Sequence, residues 1–217
     1  MTPTAFASPL PNAYGLAVVT DVAVYWQQVH LHPETKLVNL RDAIPNIQLD
    51  IRYATTSNVL GEALYPTAAA FLRAPAAEAL QQVQAALAVH GVGLVVFDAY
   101  RPYSVTVQFW EQIQDETYAA PPWRGSRHNR GCSVDVALVD ATGQPLRMPT
   151  AFDDLTPAAH ATYEPVSAEA RRNRTLLLDT MAAFHFVNYP AEWWHFDFAR
   201  WAEFDLLDIP FSALTTK

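Results

Sequence analysis

The segment Cys132-Ser133-Val134-Asp135-Val136-Ala137-Leu138-Val139 constrains the fold most, because Val134, Val136 and Leu138 alternate with Ser133, Asp135 and Ala137. A period of two belongs to a strand, and it puts the valines on one face and Asp135 on the other. Such a strand needs a sheet around it and a layer over its apolar side. Its second face then presents a carboxylate from a fixed position.

The flanking sequence supplies candidates for both needs. Pro75 to His90 reads as a helix: proline suits the first turn, Ala76, Leu80, Val83 and Leu87 repeat at three- and four-residue spacing, and Gly91 stops it. Leu94 to Phe97 is a short apolar run ending at Asp98, as in a buried strand, and a helix is expected from Ser104 to about Gln114. Ser167 and Glu169 open another helix running to about Phe184, with an expected apolar stripe of Leu176, Leu177, Thr180 and Phe184. Pro190 excludes helix before Trp193, and His195-Phe196-Asp197-Phe198 alternates as a strand. Val22 to Leu31 fits strand or short helix equally. Val38 to Tyr53 reads as extended pieces broken at Pro45 and Asn46, with Leu49 and Ile51 alternating as in a half-buried strand. The expected class is α+β, a single domain with a mainly antiparallel sheet flanked by helices. An irregular arm is expected over residues 1–21, with the domain over 22–217.

Composition narrows the functions. Half of the 217 residues are hydrophobic, enough for a packed core at this length. A formal net charge of −8 with no Lys/Arg cluster argues against a sequence-independent nucleic-acid binder. One cysteine, Cys132, rules out an internal disulfide framework and a cysteine-rich zinc finger. No window approaches the ~18 uninterrupted apolar residues of a spanning helix. The first residues lack the basic and apolar regions of a signal peptide. The expectation is a cytoplasmic protein, or a periplasmic one if an export signal has been trimmed.

The residues with chemistry fall in three places. His128 and Asp135 are seven apart with Gly131 between them, a spacing that suits a loop turning into a strand. Taken alone, a surface histidine and a strand aspartate are commonplace. Glu192 and His195 flank Trp193 and Trp194; residues three apart on a regular strand face opposite ways, so both reach one site only if the backbone bends. The two tryptophans read either as core anchors or as the aromatic walls of a pocket. Arg101 follows the apparent strand end Asp98-Ala99-Tyr100 and can face an oxyanion there, or form a surface salt bridge to Asp98. Two imidazoles, one carboxylate ligand and a spare carboxylate are what a catalytic zinc and its general base require.

In order and spacing, Asp98-Ala99-Tyr100-Arg101-Pro102, Ser126-x-His128-x-x-Gly131-x-x-x-Asp135 and Glu192-Trp193-Trp194-His195-Phe196 resemble three blocks of the D-alanyl-D-alanine dipeptidase family. That family is the VanX-like branch of zinc peptidases sharing a fold with D,D-carboxypeptidases and the Hedgehog signalling domain. Asp50-Ile51-Arg52-Tyr53-Ala54-Thr55, followed by Asn58 and Gly61, resembles a fourth segment, so the likeness runs over roughly three quarters of the chain. The resemblance implies one Zn²⁺ per chain on His128, Asp135 and His195, with Glu192 as general base and Arg101 as transition-state arginine. It implies Ser126 in the substrate pocket and Asp153 on the substrate ammonium, with Asp154 as rival. The implied partner is a small dipeptide, with no nucleic acid and no membrane span; the sequence is silent on oligomeric state. The implied reaction is hydrolysis of D-alanyl-D-alanine, linked to cell-wall precursor metabolism or glycopeptide resistance. The alternatives are a D,D- or L,D-carboxypeptidase of peptidoglycan stems and a non-catalytic zinc-binding domain.

Cys132 and Ser133 stand where the family usually has small residues, and Cys132 is expected in the core. His185 stands where the family often has glycine, which suits a left-handed helix terminus. His30 and His32 would share a face on a strand, but have no third partner in sequence and are read as a solvated edge. His90 sits at a helix C-terminus, and His160 in a loop has no evident role.

Overall fold

In the computed structural model, which describes residues 11–214, the alternating segment is the middle strand of a five-stranded sheet. The strands are β1 (Val18–Val19), β2 (Leu37–Asn39), β3 (Gln48–Leu49), β4 (Phe71–Arg73), β5 (Val92–Asp98), β6 (Ser133–Asp140), β7 (Phe186–Asn188), β8 (His195–Phe198) and β9 (Leu206–Leu207). The helices are α1 (Val22–Leu31), α2 (Leu40–Ala43), α3 (Ala74–Ala88), α4 (Tyr103–Ile113) and α5 (Ala168–Ala183). The main sheet has the order β3-β5-β6-β8-β7, with β3 parallel to β5 and the other neighbours antiparallel. The class is mixed α+β, with α3 and α5 packed on the sheet and on each other.

Local chemistry explains these elements. Pro75 opens α3, which buries Ala76, Leu80, Val83 and Leu87 and gives way to Gly91 at φ +68°. Helix α5 starts on Ser167, whose hydroxyl accepts from the Ala170 amide at 3.1 Å. Its buried face is Ala170, Arg174, Leu177 and Met181, so the expected stripe is rotated, with Leu176, Thr180 and Phe184 only half-buried. Arg174 can take a core position because its guanidinium reaches the Tyr163 carbonyl at 2.9 Å and Glu164 at 3.2 Å. His185 follows at φ +67°, the left-handed exit expected of it.

Val22–Leu31, which in sequence fits strand or short helix equally, is a helix capped by Asp21, and His30 and His32 are both exposed, as expected of a solvated edge. Other expectations need correction. Within the stretch expected to be extended, Leu40–Ala43 is a helical turn because the Asn39 side chain accepts from the Arg41 amide at 3.0 Å. Ile51 lies beyond β3 and opens a 3₁₀ turn over Arg52–Ala54. Residues 1–10 of the expected irregular arm lie outside the described range, and the rest is not all irregular: β1 pairs in parallel with β9.

One contiguous core runs from Val19 to Phe211. Val134, Val136 and Leu138 are fully buried, as are Leu94 and Val96, which face them across the β5–β6 ladder. The ladder is interrupted once: Val96 pairs with Val136, but Asp98 pairs with Asp135. That bulge inserts Phe97 as an extra residue and turns Asp98 onto the face that carries Asp135. On this face Phe97 stacks on Phe152 at 4.6 Å.

Candidate metal centre and catalytic cleft

Two ladder positions build the centre of the site. In the β6–β8 pairing Asp135 lies opposite His195 and Ser133 opposite Asp197. Residues two apart share a face, so all four side chains meet on one patch of sheet. His128 arrives from the preceding 3₁₀ turn, His128–Arg130, which ends on Gly131 at φ +67°. A side chain at Gly131 would run into Leu37, so glycine is needed here for space as well as for backbone angle. Ser126 caps the turn, its hydroxyl accepting from the His128 amide at 3.1 Å.

His128 Nε2, His195 Nδ1 and Asp135 Oδ1 form a triangle with edges of 3.2, 3.0 and 3.5 Å. Ligands at 2.0–2.2 Å around a tetrahedral zinc stand ~3.3 Å apart, so the triangle matches one face of that tetrahedron. These three residues are the group able to hold a metal among the described residues. Both imidazoles have their other nitrogen engaged. His128 Nδ1 donates to the Ala99 carbonyl at 2.6 Å and His195 Nε2 to Asp197 Oδ1 at 3.1 Å. Those acceptors cannot donate, so in the neutral rings that a metal requires the lone pairs of His128 Nε2 and His195 Nδ1 point into the triangle. Burial opposes ionisation of Asp135, but His128 and His195 outweigh it and hold the carboxyl well below its usual range. Burial likewise opposes charge on His195, while Asp197 and Asp135 raise it well above the usual histidine value. The field at the centre of the triangle therefore favours a cation.

Glu192 reaches this centre by the bend that its spacing from His195 demands. Residues 189–194 form the loop between β7 and β8, and Asn188 Nδ2 donates to the carbonyls of Glu192 and His195, both at 2.9 Å. Glu192 Oε2 ends 3.8 Å from His195 Nδ1, and burial pushes its carboxyl up to about 8. The tryptophans divide their roles. Trp194 lines the cleft, whereas Trp193 is core, its indole donating to Thr150 Oγ1 at 2.9 Å.

Arg101 does pair with Asp98, through Nε at 3.0 Å and Nη2 at 2.6 Å, but the pair is buried and not a surface bridge. Its guanidinium lies over the rings of Phe109 and Tyr53, at 5.0 and 5.2 Å. Among the described residues no protein acceptor takes Nη1, which leaves donors for a ligand. Asn129 ties this arginine to the histidine turn, donating to the Arg101 carbonyl at 2.8 Å and accepting from the Ser126 amide at 2.7 Å.

Asp153, at φ +61°, turns its carboxylate to the Tyr53 hydroxyl, which lies 2.9 and 3.0 Å from the two oxygens. Burial pushes this carboxyl up to about 7, against the Tyr53 hydrogen bond. Asp154 instead accepts from Thr156 Oγ1 at 2.7 Å and does not line the cleft. Arg101, Ser126, His128, Asp135, Asp153, Glu192 and His195 all line one cleft of about 750 Å³. Cys132 is buried away from it in the core, where burial pushes its thiol up to about 12. Sequence offers Asp98 as a surface partner of Arg101 but gives no role to Asn129, Asn188 or Asp197. Of these three, Asp197 leaves a signal, as the residue two on from His195 in an alternating strand.

Three donors that leave a fourth position open, beside a buried carboxylate and an arginine, make up the equipment of a hydrolytic metal centre. Residues 33–212 match the family model described as D-ala-D-ala dipeptidase. The chain is 35% identical to the D-alanyl-D-alanine dipeptidase of Escherichia coli strain K12, over 82% of this chain and 92% of that protein. It is 27% identical to the D-alanyl-D-alanine dipeptidase of Enterococcus faecalis strain V583, over 75% and 91%. Among solved structures it is similar to VanYB in complex with D-Alanine-D-Alanine, at 16% identity and TM-score 0.43, over 62% of this chain and 75% of that one. The chain belongs to the D-alanyl-D-alanine dipeptidase family, and so to the metallopeptidases.

Proposed function

We propose that this protein hydrolyses D-alanyl-D-alanine to two D-alanines, using one zinc ion per chain held by His128, Asp135 and His195. The observation that carries the reading is the triangle of 3.0–3.5 Å edges with Glu192 Oε2 at 3.8 Å from one corner. The substrate comes from the family and from the names of the relatives in E. coli and E. faecalis.

When bound, zinc supplies a Lewis acid for the scissile carbonyl and brings the pKa of water from 15.7 toward ~7. Glu192 takes a proton from the attacking water as its oxygen bonds to the carbonyl carbon. The same carboxyl then gives that proton to the nitrogen as the C–N bond breaks, so one residue serves as base and acid. Its burial makes the carboxylate a stronger base, which holds the proton it takes until the nitrogen accepts it. Arg101, fixed by Asp98 and by two aromatic rings, offers its free donors to the negative charge on the carbonyl oxygen. Asp153 binds the substrate ammonium, which supplies the positive charge that its half-buried carboxylate lacks. The Ser126 hydroxyl accepts from His128 and keeps its own proton to donate to the substrate.

Incubation of the purified protein with D-Ala-D-Ala, L-Ala-L-Ala and a stem pentapeptide tests the reading. D-Alanine release from the D,D-dipeptide alone is expected. Release of the pentapeptide's terminal residue in preference would make it a carboxypeptidase. Bound zinc with no turnover of any substrate would make it a binding domain.

A further inference from the structure

The two imidazoles of the metal triangle are oriented by different kinds of partner. His128 leans on a backbone carbonyl, Ala99, whereas His195 leans on a side chain, Asp197. Asp197 is buried and its acceptor sites are engaged. Oδ1 takes His195 Nε2 at 3.1 Å and Ser133 Oγ at 2.6 Å, and Oδ2 takes Arg127 Nη1. Arg127 is in turn stacked 4.5 Å over the Trp201 ring. The ladder that sets Asp135 against His195 also sets Ser133 against Asp197, so donors and support share one register.

We infer that Asp197, held by Ser133 and Arg127, is the positioning residue for the His195 metal donor, fixing which ring nitrogen carries the proton and where the other points. A carboxylate at 3.1 Å from Nε2 can only accept, so in the neutral ring the proton stays on Nε2 and the lone pair on Nδ1. Without Asp197 the ring can flip about its χ2 torsion, which carries Nδ1 out of the triangle, or adopt the other tautomer, which puts a proton where the Nδ1 lone pair was. Arg127 and Ser133 act one step further out, by denying Asp197 any other rotamer. Half-exposed Arg127 carries the smaller share, because Ser133 and His195 still hold the carboxylate when it is removed.

The inference rests on the metal-site reading and not on the substrate. Its test is zinc affinity, by competition with a chromophoric chelator, for the full chain and for Asp197→Ala, Asp197→Asn and Arg127→Ala. A ¹⁵N spectrum of the His195 ring is recorded alongside. Asp197→Ala is expected to bind zinc ~10–100-fold more weakly and to mix ring tautomers, with Arg127→Ala affected less. Asp197→Asn keeps the side-chain shape and carries the test if the alanine variant does not fold; weaker zinc binding is expected there too. Affinity within twofold of the parent in the folded Asp197 variants, with the Nε2–H tautomer kept, would overturn the inference. So would lost turnover at unchanged affinity. A parent protein that binds zinc but spares D-Ala-D-Ala would remove the dipeptidase reading and leave this one standing.

Discussion

Carboxylates on one cleft serve different ends because their surroundings differ. Asp135 sits between two imidazoles and stays ionised, whereas Glu192 and Asp153 are desolvated with less compensation and are pushed up to about 8 and about 7. Glu192→Gln removes the proton acceptor and keeps the shape, so it should bind zinc normally and lose ~10²–10⁴-fold in turnover. His195→Ala should lose zinc and turnover together. Metal content and kcat on the same samples check both variants, and near-normal turnover in metal-loaded Glu192→Gln would sink the base assignment. For Asp153 the sign is the reverse of a salt-bridged carboxylate. Its pKa is higher folded than the ~3.9 of an unfolded chain, so stability is lost as pH rises from ~4 to ~7. Asp153→Asn, still accepting from Tyr53, should therefore be more stable than the parent at pH 8. Discounted for partial exposure, the gain is on the order of 1–2 kcal/mol. Urea unfolding of the metal-free proteins should show the gap closing by pH 4; an equal gap at both pH values would contradict it.

Elements were legible where one pattern dominated. β6 shows because apolar and polar residues alternate without a break, and α3 shows because proline, an apolar stripe and glycine agree on its limits. α2 was hidden because a single side-chain cap, Asn39, decides four residues. The buried face of α5 was misjudged because Arg174 is a core residue only by virtue of its partners Tyr163 and Glu164 in the segment just before the helix. The bend that brings Glu192 to His195 could be required from spacing, but the Asn188 brace that holds it was not visible. Gly131 is the joint between the His128 turn and β6, and its substitution tests the pair as a unit. Gly131→Ala meets both a left-handed backbone angle and the Leu37 side chain, so it should cost about 1–3 kcal/mol. Zinc affinity should fall with it, since His128 moves. Thermal melting and chelator competition check this, and a variant with unchanged zinc affinity would show that the turn and strand are not coupled.

Across the whole molecule, the site is a product of topology. Arg101, the His128 turn and the β7–β8 loop come from three separated stretches, and the sheet order β5-β6-β8 brings them side by side. The sequence held the donors in recognisable blocks because their chemistry restricts residue type. It held less of the supporting shell: Asp98 was legible as a partner of Arg101 but not as a buried one turned inward by a bulge, and Asn129 and Asp197 act through a backbone carbonyl and a cross-strand pair. Among the described residues no helix is long and apolar enough to cross a membrane. In the proposed function these separated blocks form one single-zinc dipeptidase centre. Titrating metal-free protein with zinc while D-alanine release from D-Ala-D-Ala is followed tests that directly. Activity should rise in proportion and break at one zinc per chain. Release that is independent of zinc, or one tightly bound zinc with no release, would contradict it.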